Sequence, residues 1–227
     1  MNDEPNWHIV GAKLFQDTAT AYQLAPCYNA LKGYYASLKC CSAGLVYVAD
    51  MSVTCFLASG DCLMLMANSA GYNTINDFIA DARARRVTKR QWDNVEATLK
   101  GSKCRLKHLG HTKKIKGLGP AANEATFEAD EGAKTTVAAY YEKTAKTKAS
   151  YKGSISSLLF IFLTNYKDIV ILAALDNTGK LLYPFLPLIN VGTNTKPIYI
   201  PPVLVNIPAG QCRSSKMTPD MTGTVLH

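Results

Sequence analysis

Between Arg86 and Lys116 the chain carries ten basic residues: Arg86, Lys89, Arg90, Lys100, Lys103, Arg105, Lys107, Lys113, Lys114 and Lys116. Only Asp93 and Glu96 oppose them, and this local excess equals the formal net charge of +8 for all 227 residues. Apolar segments lie on either side, so the stretch reads as a cationic arm joining two packed modules. Concentrated charge of this kind, with a pI near 9.1, points to polyanionic partners: RNA, DNA or an anionic membrane face.

Residues 1–85 hold five basic residues and seven acids. Leu24, Cys27, Ala30, Leu31, Tyr34, Tyr35, Leu38 and Cys41 recur at steps of three and four, the stripe of an amphipathic helix. Leu45 to Met66 is apolar nearly throughout. It reads either as a helix pair broken near Ser59-Gly60-Asp61 or as β structure around Leu45-Val46-Tyr47-Val48, and helices are favoured. Thr74 or Asn76 caps a short helix over 78–85, with Ile75, Phe78, Ile79 and Ala82 on its apolar face.

Within the arm, Val87, Gln91, Val95 and Leu99 form a narrow helical stripe ringed by cations. Lys116-Gly117-Leu118-Gly119-Pro120 is a break, because proline disfavours helix in the residue before it. Helix resumes near the acids Glu124, Glu128, Asp130 and Glu131 and continues through Val137, Tyr140, Tyr141 and Ala145. There Lys143, Lys146, Lys148 and Lys152 interleave with tyrosines, cations serving phosphates and rings serving bases. Residues 154–175 read as two apolar helices. From Lys180 onward seven prolines and β-branched residues mark short strands at 186–191 and 197–205, followed by a polar tail.

The expected fold class is therefore α+β: a helical bundle over 1–85, a basic helical arm over 86–152 hinged at 117–120, and a small α+β head over 153–227. No apolar run is clean enough to span a membrane. The seven cysteines lack C-x-x-C spacing and read as free, largely buried thiols of a reducing compartment. Cys104, His108 and His111 are the only compact set of soft ligands, and they lack a fourth and sit among lysines. No metal, cofactor or catalytic constellation is assigned, so the expectation is a protein that is not an enzyme.

Two segments resemble adjacent subunits of the nidovirus replicase polyprotein, non-structural proteins seven and eight. Met64 to Arg86, MLMANSAGYNTINDFIADARARR, resembles the end of the protein-seven bundle. Ala138 to Val203 is similar to the junction of shaft and head in protein eight, through Ser157-Leu158-Leu159-Phe160, Asp168, Gly179 and Pro187-Leu188. Thr224-Val225-Leu226-His227 resembles a polyprotein cleavage end. The likeness implies an RNA-binding processivity subunit of a viral RNA-dependent RNA polymerase. Its partners would be RNA, the polymerase and other replicase subunits, with possible homo-oligomers, in replication complexes of the host cytoplasm. It departs from protein eight at the Gly117–Pro120 break. It departs again near Ala125-Thr126, where the chain is acidic, and primase-like activity is not carried over. The alternatives are a single-strand-binding subunit resembling non-structural protein nine, or a basic capsid or nucleocapsid protein. The residues expected on RNA are Lys100, Lys103, Arg105, Lys107, Lys113, Lys114, Lys116, Lys143, Lys146 and Lys148.

Overall fold

A computed structural model describes residues 6–17, 22–128, 134–150, 174–176, 180–193 and 195–213. The chain divides into two compact units, one of residues 1–59 with 208–227 and one of 60–207.

The first unit is a sheet, not the expected helical bundle. Its strands are β1 (Asn6–Val10), β2 (Lys13–Asp17), β3 (Tyr22–Ala25), β4 (Tyr28–Cys41) and β5 (Gly44–Leu57). β4 and β5 pair along their whole length, from Tyr28↔Leu57 to Cys41↔Gly44. On the other edge of β4, β3 pairs with Tyr28–Ala30 and β2 with Gly33–Tyr35, end to end. Phe15, Leu31 and Phe56 form the core, with Val10 and Cys212 packed on it. Gly33 permits this, since a Cβ there would collide with the Phe15 ring and lie 2.6 Å from the Leu14 carbonyl oxygen. The returning segment closes the sheet through Arg213 N–H donating to the Cys55 carbonyl at 2.7 Å and Leu57 N–H to Gln211 at 2.9 Å.

The helical reading of 24–41 fails for a physical reason. Periodicity reports a buried face, and the far half of this hairpin buries neither face: Leu38, Leu45 and Tyr47 are 69%, 71% and 65% exposed. The three- and four-residue recurrence there marks no core. Tyr and Val instead suit a pleated backbone.

The second unit opens with β6 (Gly60–Asp61) and α1 (Cys62–Ser69), then α2 (Ile75–Arg83) and α3 (Lys89–Leu99). Thr74 caps α2, accepting from Asp77 N–H at 3.1 Å, and Phe78, Ile79 and Ala82 are buried as the sequence anticipates. Thr88 and Gln91 form a reciprocal capping box at the start of α3, satisfying two otherwise orphaned donors. Gln91 also donates to the Ala70 carbonyl at 2.8 Å, and Ser69 meets Thr98 at 2.8 Å, fastening α1 to α3.

Helix stops at Leu99, and the expected helical arm becomes strands: β7 (Lys103–Leu106), β8 (Thr112–Lys114), β9 (Gly117–Ala121), β10 (Thr126–Glu128) and β11 (Lys134–Thr136). Gly101 and Gly110 take φ of +82° and +71°, which glycine adopts without steric cost, so the chain turns there. The Gly117–Pro120 segment is no hinge. It is β9, paired with β12. α4 (Val137–Ser150) follows, then β12 (Pro187–Asn190), β13 (Tyr199–Ile200), a 3-10 turn at Pro202–Leu204 and β14 (Val205–Ile207). One sheet runs β6-β14-β7-β8 and another β13-β12-β9, while β10 and β11 form a hairpin. Phe78, Met66, Val95, Leu99, Leu106, Ile115, Leu188, Ile189, Leu204 and Ile207 fill the core. The helices expected over 154–175 lie almost wholly outside the described residues, as do Lys152 and the tail beyond 213.

Candidate nucleic-acid interface

The β10–β11 hairpin, α4 and β13 enclose a cleft of about 400 Å³. Its lining is Phe127 and Glu128 from β10, Val137, Tyr140 and Tyr141 from α4, and Pro197 to Ile200 at β13. Register places Phe127 opposite Thr135 in the hairpin. α4 begins at once after β11 and is pinned at its first turn. Val137 N–H donates to Ala125 at 3.0 Å, Ala138 N–H to Ala122 at 3.0 Å and Ala139 N–H to the Thr136 hydroxyl at 3.2 Å. Spacing of 137, 140, 141 and 144 then turns one helix face to the hairpin.

The rings form a continuous edge-to-face row. Phe127 meets Tyr140 at 5.5 Å and 76°, Tyr140 meets Tyr141 at 5.6 Å and 85°, and Tyr141 meets His108 at 6.4 Å and 85°. The row runs from surface to interior: Phe127 and Tyr140 are 36% and 47% exposed, Tyr141 and His108 only 6%. Burial raises the Tyr141 phenol, aided by Tyr140, so it stays protonated. Burial lowers the His108 imidazole, and its Nδ1 is enclosed with no hydrogen-bond partner.

Across the cleft, Tyr199 rests against β9. A Cβ on Gly119 would stand 2.6 Å from its Cδ1, so glycine at that position gives Tyr199 its place. The Gly-x-Gly expected to be a hinge is instead a signal for close packing of strand and ring, which periodicity alone does not reveal. Phe127, His108, Pro197, Ile198 and Tyr199 were absent from the expected site.

The expected RNA-binding residues separate into groups. Lys103 and Arg105 alternate with buried Cys104 and Leu106 on β7, and Lys114 of β8 stands in register with Lys103. Lys107 follows β7 and pairs with Asp61 at 2.5 Å. Lys113 is exposed on β8, and Lys116 is exposed between β8 and β9. Lys100 caps α3 and lies 3.8 Å from Glu96. Lys143 is exposed on α4, while the side chains of Lys146 and Lys148, further along that helix, lie outside the described ones. A second hollow of about 440 Å³ is lined by Trp92, Phe185 and charges of both signs, with Arg83 over the Phe185 ring at 5.4 Å.

Cys104 and His108 are buried while His111 is exposed, and no metal-holding group of three or more ligands occurs among the described residues. No disulfide joins the described cysteines, and burial raises the Cys55 and Cys104 thiols to about 11. No helix among the described residues is long and apolar enough to cross a membrane.

Residues 10–58 match the family model of the Argonaute linker 1 domain. Protein argonaute 18 of Oryza sativa subsp. japonica is 25% identical over 202 residues, 87% of this chain. The chain spans 15% of that relative's length. Among solved structures, Kluyveromyces polysporus Argonaute with a guide RNA superposes on 99% of this chain and 24% of its own, with TM-score 0.54 and 14% identity. The Drosophila Argonaute 2 PAZ domain, from a study of 3′ end recognition of nucleic acids, covers 68% of this chain and 98% of its own at TM-score 0.38 and 18% identity. The linker 1 model, the rice relative and the Kluyveromyces polysporus structure overturn the resemblance to nidovirus proteins seven and eight. With it fall the polymerase-processivity, protein-nine and capsid readings, the viral polymerase partner and the placement in host-cytoplasmic replication complexes. The similarity of this sequence runs instead to Argonaute proteins, and its fold is that of a segment of one.

Proposed function

We propose that this chain is a nucleic-acid-holding segment of an Argonaute-like protein and acts by binding, not by catalysis. A single-stranded RNA enters the cleft between α4 and β13, and a base stacks on Phe127 and Tyr140. The carrying observation is the half-exposed aromatic row opening into a 400 Å³ recess. A recess of that size takes a base or two and excludes a duplex. Each base stacked on an aromatic ring contributes about 1–3 kcal/mol, independent of sequence. Neutral His108 and protonated Tyr141 at the inner end supply polar atoms without charge. Support comes also from the guide RNA held by the Kluyveromyces polysporus relative.

The test is fluorescence anisotropy of a 5′-labelled single-stranded RNA on the full chain. Phe127→Ala and Tyr140→Ala should each weaken binding about tenfold, the equivalent of roughly 1.4 kcal/mol of stacking. A blunt duplex of the same sequence should bind more weakly than the single strand. Unchanged affinity in both variants would remove the cleft from the reading.

A further inference from the structure

The hollow lined by Trp92 and Phe185 lies wholly within the second unit and shares no lining residue with the aromatic cleft. Its volume of about 440 Å³ falls within the range of small-molecule sites, about 300–1,000 Å³. Two arginines line it, Arg83 and Arg85. Residues two apart on a helix point about 200° apart, so the pair would diverge if α2 continued. α2 ends instead. Arg86 N–H donates to the Asp81 carbonyl at 2.8 Å and Arg85 N–H to the Ala82 carbonyl at 3.1 Å, with Arg85 at φ +55°. That position at a helix end usually holds glycine, because a side chain meets steric cost there. Arginine occupies it here, and lines the same hollow as Arg83.

The Arg83 guanidinium rests over the Phe185 ring at 5.4 Å. Trp92 is half-buried and steadied edge-on by Phe78 at 5.7 Å and 67°. Glu96 stands one turn beyond Trp92 on the same face of α3. Its carboxylate lies against β9, where a Cβ on Gly117 would stand 2.8 Å from Oε1, so glycine at 117 gives that carboxylate its place. The pair of Glu96 with Lys100 at 3.8 Å is exposed, and exposed pairs contribute little. The hollow thus brings together a stacking ring, a two-oxygen acceptor and two guanidinium forks. A planar base stacks on the ring, a carboxylate accepts two neighbouring donors, and guanidinium forks fit phosphate oxygens. Among the RNA bases only guanine presents two adjacent donors, N1–H and the N2 amine, on one edge. Asp93 and Glu124 also line the hollow, and their charge repels a longer run of phosphates.

We propose that this hollow is a binding site for a free guanine nucleotide, of which GMP is the simplest. The base stacks on Trp92 and gives its two donors to Glu96, and the phosphate takes Arg83 and Arg85. The site is separate from the cleft and stands whether or not the cleft binds RNA. Arg85→Gly makes a paired prediction. It removes one guanidinium where the backbone prefers glycine, so it should weaken binding and leave the fold at least as stable.

The experiment follows quenching of Trp92 fluorescence in the full chain carrying Trp7→Phe, since Trp7 and Trp92 are its two tryptophans. GMP should quench to saturation, and AMP should bind at least about tenfold more weakly. Arg85→Gly should keep or raise the melting temperature and weaken GMP about tenfold, as expected for one charge-assisted contact. Glu96→Gln should erase the preference for GMP over AMP, and Phe127→Ala in the cleft should leave GMP binding unchanged. No saturable quenching by millimolar GMP would overturn the proposal, as would equal affinity for GMP and AMP with Glu96 in place. If Arg85→Gly melts lower, Arg83→Gln decides, and unaltered GMP affinity there overturns it. Loss of GMP binding in Phe127→Ala would place the nucleotide in the cleft, which also overturns it. Displacement of GMP by a hexa-arginine peptide would assign the hollow to a basic protein. Displacement by a hairpin RNA ending in a 5′-phosphorylated guanosine would assign it to an RNA end. Either overturns the free nucleotide.

Discussion

His108 shows how one side chain links burial to solution behaviour. It is 6% exposed, its Nδ1 has no partner, and burial holds its imidazole below the ordinary value near 6.5. In the range between the lowered folded value and about 6.5, the unfolded chain binds the proton and the folded chain does not. Stability therefore rises with pH through that range, and falls as the solution is acidified through it. Urea melts at intervals from pH 5 to 8 should show this slope, and His108→Phe should flatten it. The same sequence neighbourhood looks like a fragment of a zinc knuckle, because Cys104 and His111 lie close by in the chain. The fold separates them: Cys104 and His108 turn inward and His111 outward.

At the scale of elements, the termini of the helices were the most legible parts. Thr74 before α2 follows from a side-chain bond to backbone only three residues away, whereas the start of α4 at Val137, held by the Thr136 hydroxyl, was expected near Glu124 instead. Thr88 obeys the same rule through its box with Gln91. Thr88→Ala should cost about 1 kcal/mol, the usual loss on removing an N-cap. A urea midpoint shift at unchanged m-value, together with a smaller loss in Thr88→Ser, will check it. The strands were far less legible. β7 and β8 carry one apolar residue in every two or fewer, and a basic run with a thin stripe reads equally as a solvated helix. Two residues of positive φ, Gly101 and Gly110, break that helix. β10 occupies part of the acidic stretch read as a helix start, and its one acid, Glu128, stands in register with Lys134 on β11.

At the scale of the molecule, the chain leaves its first unit at Ser59 and returns to it at Pro208, so the second unit is one continuous insertion. Each unit has its own core: Phe15, Leu31 and Phe56 in the first, and Phe78, Leu99, Leu188 and Ile207 among others in the second. The cleft and the cationic sheet face both belong to the second. A fragment of residues 60–207 should therefore melt in a single cooperative transition. It should also bind single-stranded RNA within about threefold of the full chain, a difference of less than about 1 kcal/mol. A fragment that folds but does not bind RNA would place essential contacts in the first unit. Calorimetry and anisotropy on the same sample separate the two outcomes.

The sequence by itself determined what short-range chemistry controls. It set the concentration of positive charge, the cap of α2 at Thr74 and the strand around Pro187–Asn190. Each of these is decided by residues within a few positions of one another. Only the tertiary structure decided which strands exist and what the site is. β7 finds β14 about a hundred residues later, and the cleft draws Phe127, Tyr140 and Tyr199 from three separate segments. Hydrogen bonds in a sheet go to distant backbone, and a ring's stacking partners come from whichever strand the register brings near. Local pattern carries neither, so a basic run read as a helical arm folded into a sheet face beside an aromatic cleft.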